Sequence, residues 1–319
     1  MRKIKQTAAL ILCVSAFSLF ALGSGSDESS TASKVGETSS TETEEQVEST
    51  KQDLKSEYYV GDTLYVDGLE ITYTGSNNYI SDNQFIQPAD GNKYIRLAFH
   101  VANKSDSDKS VSTFEFKCYA DGYECQATYQ DDDLSASLSK GRSADGAVYF
   151  EVPVDAKEIE VEYEVDWFND KKVKFIFEGE KDSGLVFEKE SGVTESAFHV
   201  GDIIETKKLR IVYNKADEYV SDNMFLQAPD GKKYVYIELE VENLSESDQN
   251  ISFYSFNCYA DGNACDGYYG MDDLLSADIS AGRKAKGTIA FEVPENAKTI
   301  EFEFEDNFWT ESKIVFLYE

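Results

Sequence analysis

The chain has 319 residues and a formal net charge of −31 at pH 7, with 61 Asp and Glu against 30 Lys and Arg. A surface this acidic repels nucleic acid and anionic membranes, so neither is an expected partner. The length is typical of about two or three domains.

Residues 1–24 have the pattern of a secretory signal peptide, in which three basic residues precede an apolar run from Ala8 to Leu22. The run is shorter than the roughly 20 residues that span a bilayer, and no later stretch is as apolar. The mature chain is therefore predicted to have no transmembrane segment. Gly25 stands where a bacterial lipoprotein has its lipid-modified cysteine, so release from the cell and retention at its surface are both open.

Residues 25–56 consist mainly of Ser, Thr, Glu and Lys, with almost no large apolar side chain. Such a segment buries too little surface to offset the entropy lost on ordering, so it is predicted to be a disordered acidic linker. A linker of this kind holds the folded part of a protein away from its anchor.

The rest of the chain is a tandem repeat. VGDTLYVDGLEIT from Val60 aligns with VGDIIETKKLRIV from Val200 at an offset of 140, and the offset becomes 141 after Leu274. Repeats of this length are whole domains. The predicted boundaries are module 1 at 57–179, an interdomain linker at 180–196 and module 2 at 197–319.

Apolar residues recur with a period of two in each module. In EIEVEYEV the side chains of Ile159, Val161 and Tyr163 alternate with glutamates, and TIEFEFED repeats the pattern in module 2. This alternation predicts antiparallel strands with one buried and one solvated face, and the Asp-Gly pairs between them predict tight turns. We therefore predict an all-β chain of two tandem immunoglobulin-like β-sandwich domains. Short helical turns are expected only at Asp132 to Ser137 and Asp272 to Ala277.

Four cysteines follow the signal peptide with one repeated spacing, Cys118, Cys125, Cys258 and Cys265. Each pair encloses an Asp-Gly turn, which favours a local disulfide in each hairpin over pairing between modules. Free thiols are the alternative. Zinc is not favoured, because the spacing is not that of a zinc knuckle and no histidine lies nearby.

The order of the motifs resembles a known family. A Gly-Asp start, a strand ending in Asn-x-Ser (103–105 and 243–245), a Cys-Tyr-Ala-Asp-Gly turn, a Gly-Arg pair and Phe-Glu-Val-Pro occur in both modules. They are similar to the telokin-like, immunoglobulin-like domain of unknown function 4352 of Gram-positive bacterial lipoproteins. The resemblance implies an immunoglobulin-like sandwich in the cell envelope, with no established activity.

No catalytic site and no cofactor are expected from the sequence. The two histidines, His100 and His199, are not repeated, since Glu240 and Tyr59 occupy the equivalent positions. Nucleophilic catalysis needs a base beside the nucleophile, so at most one module could hold such a site. His100 lies on the polar face of a predicted strand and is expected to be solvated, and His199 is expected to be structural.

Calcium is an alternative ligand. Asp131, Asp132 and Asp133 supply several hard oxygen ligands in one short segment, whereas module 2 has Met271 in the first of these positions. The simpler interpretation is a solvated acidic loop.

Tyrosines near the cysteine hairpins are predicted to form a binding surface, and they are Tyr119, Tyr123, Tyr259, Tyr268 and Tyr269. Exposed tyrosines beside polar loops suit the recognition of proteins or carbohydrates. We expect a non-catalytic protein, secreted or at the cell surface, that binds an extracellular protein or glycan. A structural spacer and a calcium-stabilised adhesion module are the alternatives.

Overall fold

The computed structural model describes residues 54–81, 83, 85–130, 132–166, 171–187, 194, 196–307 and 312–319. The predicted signal peptide and nearly all of the predicted disordered linker lie outside these residues. Gln52–Glu319 forms one compact unit that contains both modules. Within the described ranges no helix has the length and apolarity that a membrane crossing requires.

Module 1 is a sandwich of two sheets. Its described strands are β1 (Glu57–Tyr58), β2 (Thr63–Val66), β3 (Leu69–Tyr79), β4 (Asn92–Asn103), β5 (Lys109–Ser112), β6 (Phe116–Ala120), β7 (Tyr123–Glu124), β8 (Gln126–Thr128), β9 (Ser135–Leu138), β10 (Ser143–Pro153), β11 (Ile159–Asp166), β12 (Lys171–Ile176) and β13 (Lys181–Asp182). One sheet has the order β1-β12-β11-β6-β7. The other has the order β13-β3-β4-β10, with β2 paired to β3 and β8 paired to β10. The predicted interdomain linker thus begins as a strand of module 1.

Module 2 repeats this architecture. Its described strands are β14 (Ile203–Glu205), β15 (Leu209–Tyr219), β16 (Lys232–Asn243), β17 (Gln249–Ser252), β18 (Phe256–Ala260), β19 (Asn263–Ala264), β20 (Asp266–Gly267), β21 (Ser276–Ile279), β22 (Lys284–Pro294), β23 (Ile300–Asn307) and β24 (Ser312–Leu317). One sheet has the order β14-β15-β16-β22-β20, and the facing strands have the order β19-β18-β23-β24. The prediction of an all-β chain of two tandem sandwiches is confirmed.

Each module has its own hydrophobic core, because every central strand turns alternate side chains inward. Ile95, Leu97 and Val101 on β4 are completely buried, and Val161 on β11 faces them from the opposite sheet. The equivalent strands of module 2 bury Val235, Ile237, Leu239 and Val241 in the same way. The predicted inward faces are therefore correct in both modules.

Asp-Gly pairs make tight turns between paired strands. Asp67, Asp121 and Asp261 each have φ of 49°, and the glycine that follows each also has positive φ, as a two-residue type I′ hairpin requires. The helical turns predicted at 132–137 and 272–277 are wrong, because those segments enter the strands β9 and β21. The described 3₁₀ turns are instead Thr113–Glu115, Met224–Leu226 and Phe253–Ser255.

The two modules are joined through a sheet. In β10 of module 1, Ser143 pairs with Asn263 of β19 in module 2, so the β3-β4-β10 sheet continues into the β19-β18-β23-β24 strands. The hydroxyl of Ser143 bonds to the side-chain oxygen of Asn263, and the amide of Asn263 donates to Asp145 over 3.0 Å. The pairing is a single residue wide, so side chains supply most of the contact.

Arg142 of module 1 forms the polar centre of this contact. Its guanidinium donates to Glu301 over 2.7 Å and to Glu303 over 2.8 Å, and both glutamate side chains are almost fully buried. The guanidinium carbon also lies 4.6 Å from the centroid of the Tyr259 ring. The glutamates of β23 alternate with core residues, as predicted, but module 1 covers them, so this face is not solvated.

Tyr259 and Lys313 complete the contact from module 2. The Tyr259 ring is 1% exposed and belongs to the core of module 1, where its hydroxyl donates to the carbonyl of Ser137 over 2.8 Å. Lys313 lies 2.7 Å from Asp108 and also bonds to the hydroxyl of Ser139. The two sandwiches therefore pack against each other as one body in the described part of the chain.

Candidate binding surfaces

Each module exposes a pair of neighbouring aromatic rings. In module 1 the Phe114 ring is 78% exposed and the Tyr129 ring is 50% exposed, and their centroids are 5.8 Å apart. Phe114 lies on the 3₁₀ turn that follows β5. A capping box fixes that turn, in which the Ser112 hydroxyl accepts from the backbone of Phe114 and the Glu115 carboxylate accepts from the backbone of Ser112.

Module 2 repeats the pair with different residues. Tyr254 is 82% exposed and Tyr269 is 55% exposed, with centroids 6.0 Å apart. The buried Phe253 ring packs against the Tyr269 ring, with centroids 4.7 Å apart. A β-carbon on Gly267 would lie 2.7 Å from the Phe253 ring, so a larger residue there would require the ring to move. At the equivalent positions module 1 has Thr113, which is smaller than Phe253, and Ala127, which is larger than Gly267.

An equivalent loop in each module, between β3 and β4 in module 1 and between β15 and β16 in module 2, exposes a phenylalanine. Phe85 is 87% exposed and Phe225 is 85% exposed. A local hydrogen bond stabilises each loop. The side chain of Asn83 accepts from the backbone N–H of Phe85, and that of Asn223 accepts from the backbone N–H of Phe225. The loop of module 2 is tied to the residue before Tyr269, because the Tyr268 hydroxyl donates to the carbonyl of Leu226. Three exposed aromatic residues thus recur at equivalent positions.

A cleft of about 570 Å³ lies beside Phe114. Its lining combines charged and apolar side chains, among them Lys117, Tyr163 and Glu164. The Oε1 atom of Glu164 is buried without a hydrogen-bond partner in the described residues. A buried acceptor without a donor is costly to the fold.

The five tyrosines predicted as a binding surface differ in their exposure. Tyr123 is 79% exposed and Tyr269 is 55% exposed, whereas Tyr119 is half-buried. The predictions for Tyr259 and Tyr268 are wrong. Tyr259 is buried against module 1, and Tyr268 is 8% exposed because it stacks on Tyr234 with centroids 3.7 Å apart.

Phe114, Tyr254, Phe85 and Phe225 are not among the residues predicted from the sequence to form a binding surface. A signal for Phe114 is present in the Ser112-Thr-Phe-Glu115 segment, since Ser-x-x-Glu is the sequence pattern of a capping box. The turn that it caps rotates Phe114 away from the core, where strand alternation with Phe116 would have placed it. Tyr254 has no such pattern, because module 2 lacks the glutamate.

The cysteine pairs lie across their hairpins, as the sequence predicts, and the four cysteines are free thiols in the structure. The backbone N–H of Cys125 donates to the carbonyl of Cys118 over 2.8 Å, and Cys265 bonds to Cys258 in the same way over 2.9 Å. Burial raises the pKa of the Cys118 thiol and also that of Cys125. The predicted partners are therefore neighbours across each hairpin, and the disulfides stay a prediction.

We expect oxidation of the secreted protein to give two local disulfides, Cys118 to Cys125 and Cys258 to Cys265. Closing loops this short would stabilise the fold by about 2 to 3 kcal/mol in the chain-entropy model. Peptide mapping without reduction measures the pairing, and thermal melting with and without a reductant measures the stability. A cross-link between the two modules, or four thiols that still react with alkylating reagent after oxidation, would contradict this assignment.

The acidic segment is engaged in contacts within the protein. Asp132 accepts from Arg96 over 2.6 Å and from the hydroxyl of Tyr149, and burial together with this carboxylate raises the pKa of Tyr149. Asp133 accepts from the backbone of Gln130. Asp131 lies outside the described residues, among which no group of three or more His, Cys, Asp or Glu side chains is arranged to hold a metal ion. Calcium binding stays a prediction.

His100 is not solvated, contrary to the expectation from its strand face. Its side chain lies 2.7 Å from the Asp145 carboxylate, and its ring stacks on Phe187 with centroids 3.8 Å apart. The segment that follows β13 covers this part of the sheet, so the polar face is buried there. His199 is exposed and lies 3.0 Å from the carboxylate of Glu319.

The fold and these surfaces define a tandem β-sandwich protein with repeated exposed aromatic residues. The chain belongs to the family described as Domain of unknown function (DUF4352), whose model matches residues 58–173 and 198–314. One match falls in each module, so the resemblance drawn from the sequence motifs is confirmed.

Solved structures match about one module's length of the chain. They include the ycdA protein of Bacillus subtilis, with 15% identity, 36% of this chain and 38% of that chain covered and a TM-score of 0.31. The yjhA protein of the same organism has 14% identity and a TM-score of 0.31, and the match covers 38% of this chain and 98% of that chain. The secreted protein MPT63 of Mycobacterium tuberculosis has 14% identity and a TM-score of 0.30, and the match covers 40% of this chain and 98% of that chain. The search of curated proteins gave no match.

Proposed function

We propose that this chain is a non-catalytic extracellular binding protein whose two modules hold one protein or glycan partner through their exposed aromatic residues. The observation that carries the proposal is the repetition of three exposed rings, Phe85, Phe114 and Tyr129 in module 1 and Phe225, Tyr254 and Tyr269 in module 2. The predicted signal peptide supports a location outside the cytoplasm.

Exposed aromatic rings lower solubility unless they serve a contact, and rigid rings are favoured in binding surfaces because little entropy is lost when they are covered. Both pairs keep aromatic character although their neighbours differ between the modules. The residues that pack beneath the pairs differ: Thr113 and Ala127 in module 1, and Phe253 and Gly267 in module 2. A surface without a function would not need that support.

A non-catalytic role is supported by the state of His100. Asp145 and Phe187 cover its ring, so it lies in the packed face of a sheet and not in an open cleft. The cleft beside Phe114 is lined by charged and polar side chains, which suit a ligand with hydrogen-bonding groups such as a glycan or a peptide backbone. The net charge of −31 disfavours polyanionic partners.

Removing the exposed rings from one module is expected to weaken binding by roughly 100-fold, because two linked sites give avidity. The two variants are Phe85→Ala/Phe114→Ala/Tyr129→Ala and Phe225→Ala/Tyr254→Ala/Tyr269→Ala. Retention of residues 25–319 on purified cell envelopes of the producing organism measures the effect. Combining all six substitutions should abolish retention.

Tyr65→Ala is the matched control. Tyr65 is 46% exposed on β2, is not one of the repeated aromatic residues, and has Glu205 in its place in module 2. This variant should be retained like the unmodified protein. Equal retention of the six-fold variant and the control would rule out the aromatic residues as the binding surface.

A further inference from the structure

The contact between the modules joins two different surfaces. We call the surface that module 2 contributes the front and the surface that module 1 contributes the back. The front residues are Tyr259, Asn263, Glu301, Glu303 and Lys313, and the back residues are Asp108, Ser139, Arg142, Ser143 and Asp145. Because the modules are copies of one fold, each has both surfaces. The front of module 1 and the back of module 2 are therefore not used within the chain.

The front of module 1 keeps most of the residues that make the contact in module 2. They are Tyr119, Glu160, Glu162 and Lys172, with Tyr123 in place of Asn263. Their arrangement is also kept, since Lys172 lies 3.4 Å from Glu162 and Lys313 lies 3.6 Å from Glu303. Tyr123 is 79% exposed at the tip of its hairpin.

The back of module 2 keeps the residues that face this front. They are Asp248, Ser280 and Arg283, with Lys284 and Lys286 in place of Ser143 and Asp145. The backbone turn is the same, because the N–H of Arg283 donates to Ser280 over 2.9 Å and that of Arg142 donates to Ser139 over 3.0 Å. Arg283 is exposed and has no ion pair among the described residues. It is equivalent to Arg142, which in module 1 forms ion pairs with the buried Glu301 and Glu303.

The substitutions at the two unused surfaces complement each other. Within the chain, Asn263 bonds to Ser143 and Asp145. In a contact between copies, the Tyr123 ring would meet Lys284 and Lys286, which suits a cation–π interaction. Glu160 and Glu162 would meet Arg283, so the charges are opposite on the two sides.

We propose that the front of module 1 binds the back of module 2 in a second copy of this chain. The contact repeats the one between the modules, so it is heterologous and extends head to tail. It is weaker than the internal contact for two reasons. No linker raises the local concentration of the partner. Lys174, where module 2 has Val315, also lies 2.7 Å from Glu160 and offsets the charge that Arg283 would meet.

Sedimentation velocity of residues 25–319 over a series of concentrations tests the proposal. The sedimentation coefficient of the unmodified protein should rise with concentration and the rise should shrink in high salt. Arg283→Glu and Tyr123→Lys should each remain monomeric, since each places like charges across the contact. Lys174→Val should shift the association to lower concentration, because it removes the lysine that pairs with Glu160 and leaves valine, as in module 2.

Mixing the two monomeric variants separates a head-to-tail contact from any other. Arg283→Glu has an intact front and Tyr123→Lys has an intact back, so the equimolar mixture should form a 1:1 dimer and no larger species. Circular dichroism and melting temperatures equal to those of the unmodified protein show that the variants are folded. An unmodified protein that stays monomeric up to about 1 mM, the effective concentration of a short linker, would overturn the proposal. Association that persists in both variants would also overturn it.

Discussion

Replacing Arg142 by alanine is expected to separate the two modules. The substitution leaves Glu301 buried without a cation and Glu303 with Lys313 alone, 3.6 Å away, and an uncompensated buried charge costs about 3 to 5 kcal/mol. The glutamates regain water if module 2 moves away from module 1, so the loss appears as undocking and not as unfolding of either sandwich. Calorimetry should show one unfolding transition becoming two, and small-angle scattering should show a larger radius of gyration.

Arg283→Ala is the matched control for this experiment. Arg283 occupies the equivalent position in module 2 but is exposed, so its loss should change the free energy of unfolding by less than about 0.5 kcal/mol. Arg142→Lys should be intermediate, because lysine keeps the charge but lacks the planar group that donates to both glutamates. An Arg142→Ala protein with the melting profile and scattering curve of the unmodified protein would show that the buried ion pair does not hold the modules together.

Tyr259→Ala is expected to lower the free energy of unfolding by about 3 to 5 kcal/mol, as for other large buried aromatic residues. The ring is 1% exposed and packs in the hydrophobic core of module 1. The hydroxyl also donates to Ser137 and accepts from the backbone of Ser139, and burial raises its pKa. Tyr259→Phe isolates these hydrogen bonds and should cost about 0.5 to 1.5 kcal/mol. Urea titration followed by circular dichroism measures both losses.

Tyr119→Ala provides the comparison, because Tyr119 is the same residue at the same position of the other module. It is half-buried and has no module packed on it, so its loss should be clearly smaller. Equal losses at Tyr119 and Tyr259 would mean that the ring is needed only within its own sandwich. The combined variant Arg142→Ala/Tyr259→Ala should lose less than the sum of the two, because both residues act in one contact.

The sequence predicted the strands because the period of two is a property of each strand alone. The alternation in EIEVEYEV and TIEFEFED specifies Val161 and Phe302 as inward residues wherever the module lies. The Asp-Gly pairs likewise specify turns locally, and the hairpins that they close bring Cys118 to Cys125 and Cys258 to Cys265. Such inferences need only contacts between residues near in sequence.

The exposed aromatic residues were predicted only in part. Tyr123 and Tyr269 are exposed, as expected, but the period of two does not hold at a 3₁₀ turn. Phe114 and Tyr254 face solvent for that reason, although they lie two residues before the core residues Phe116 and Phe256. The candidate site therefore depends on a turn whose capping pattern is present in one module and absent from the other.

The sequence by itself determined that this protein is a tandem of β-sandwich modules with specified inward faces, because alternation and turns are local. Only the tertiary structure decided which outward faces are solvated. Tyr119 and Tyr259 are the same residue type in the same pattern, as are Glu160 and Glu301, yet the first of each pair is partly exposed and the second is buried. The difference arises because module 1 packs against module 2 through residues more than a hundred positions apart. The pattern within a strand contains no information on what will cover its outer face.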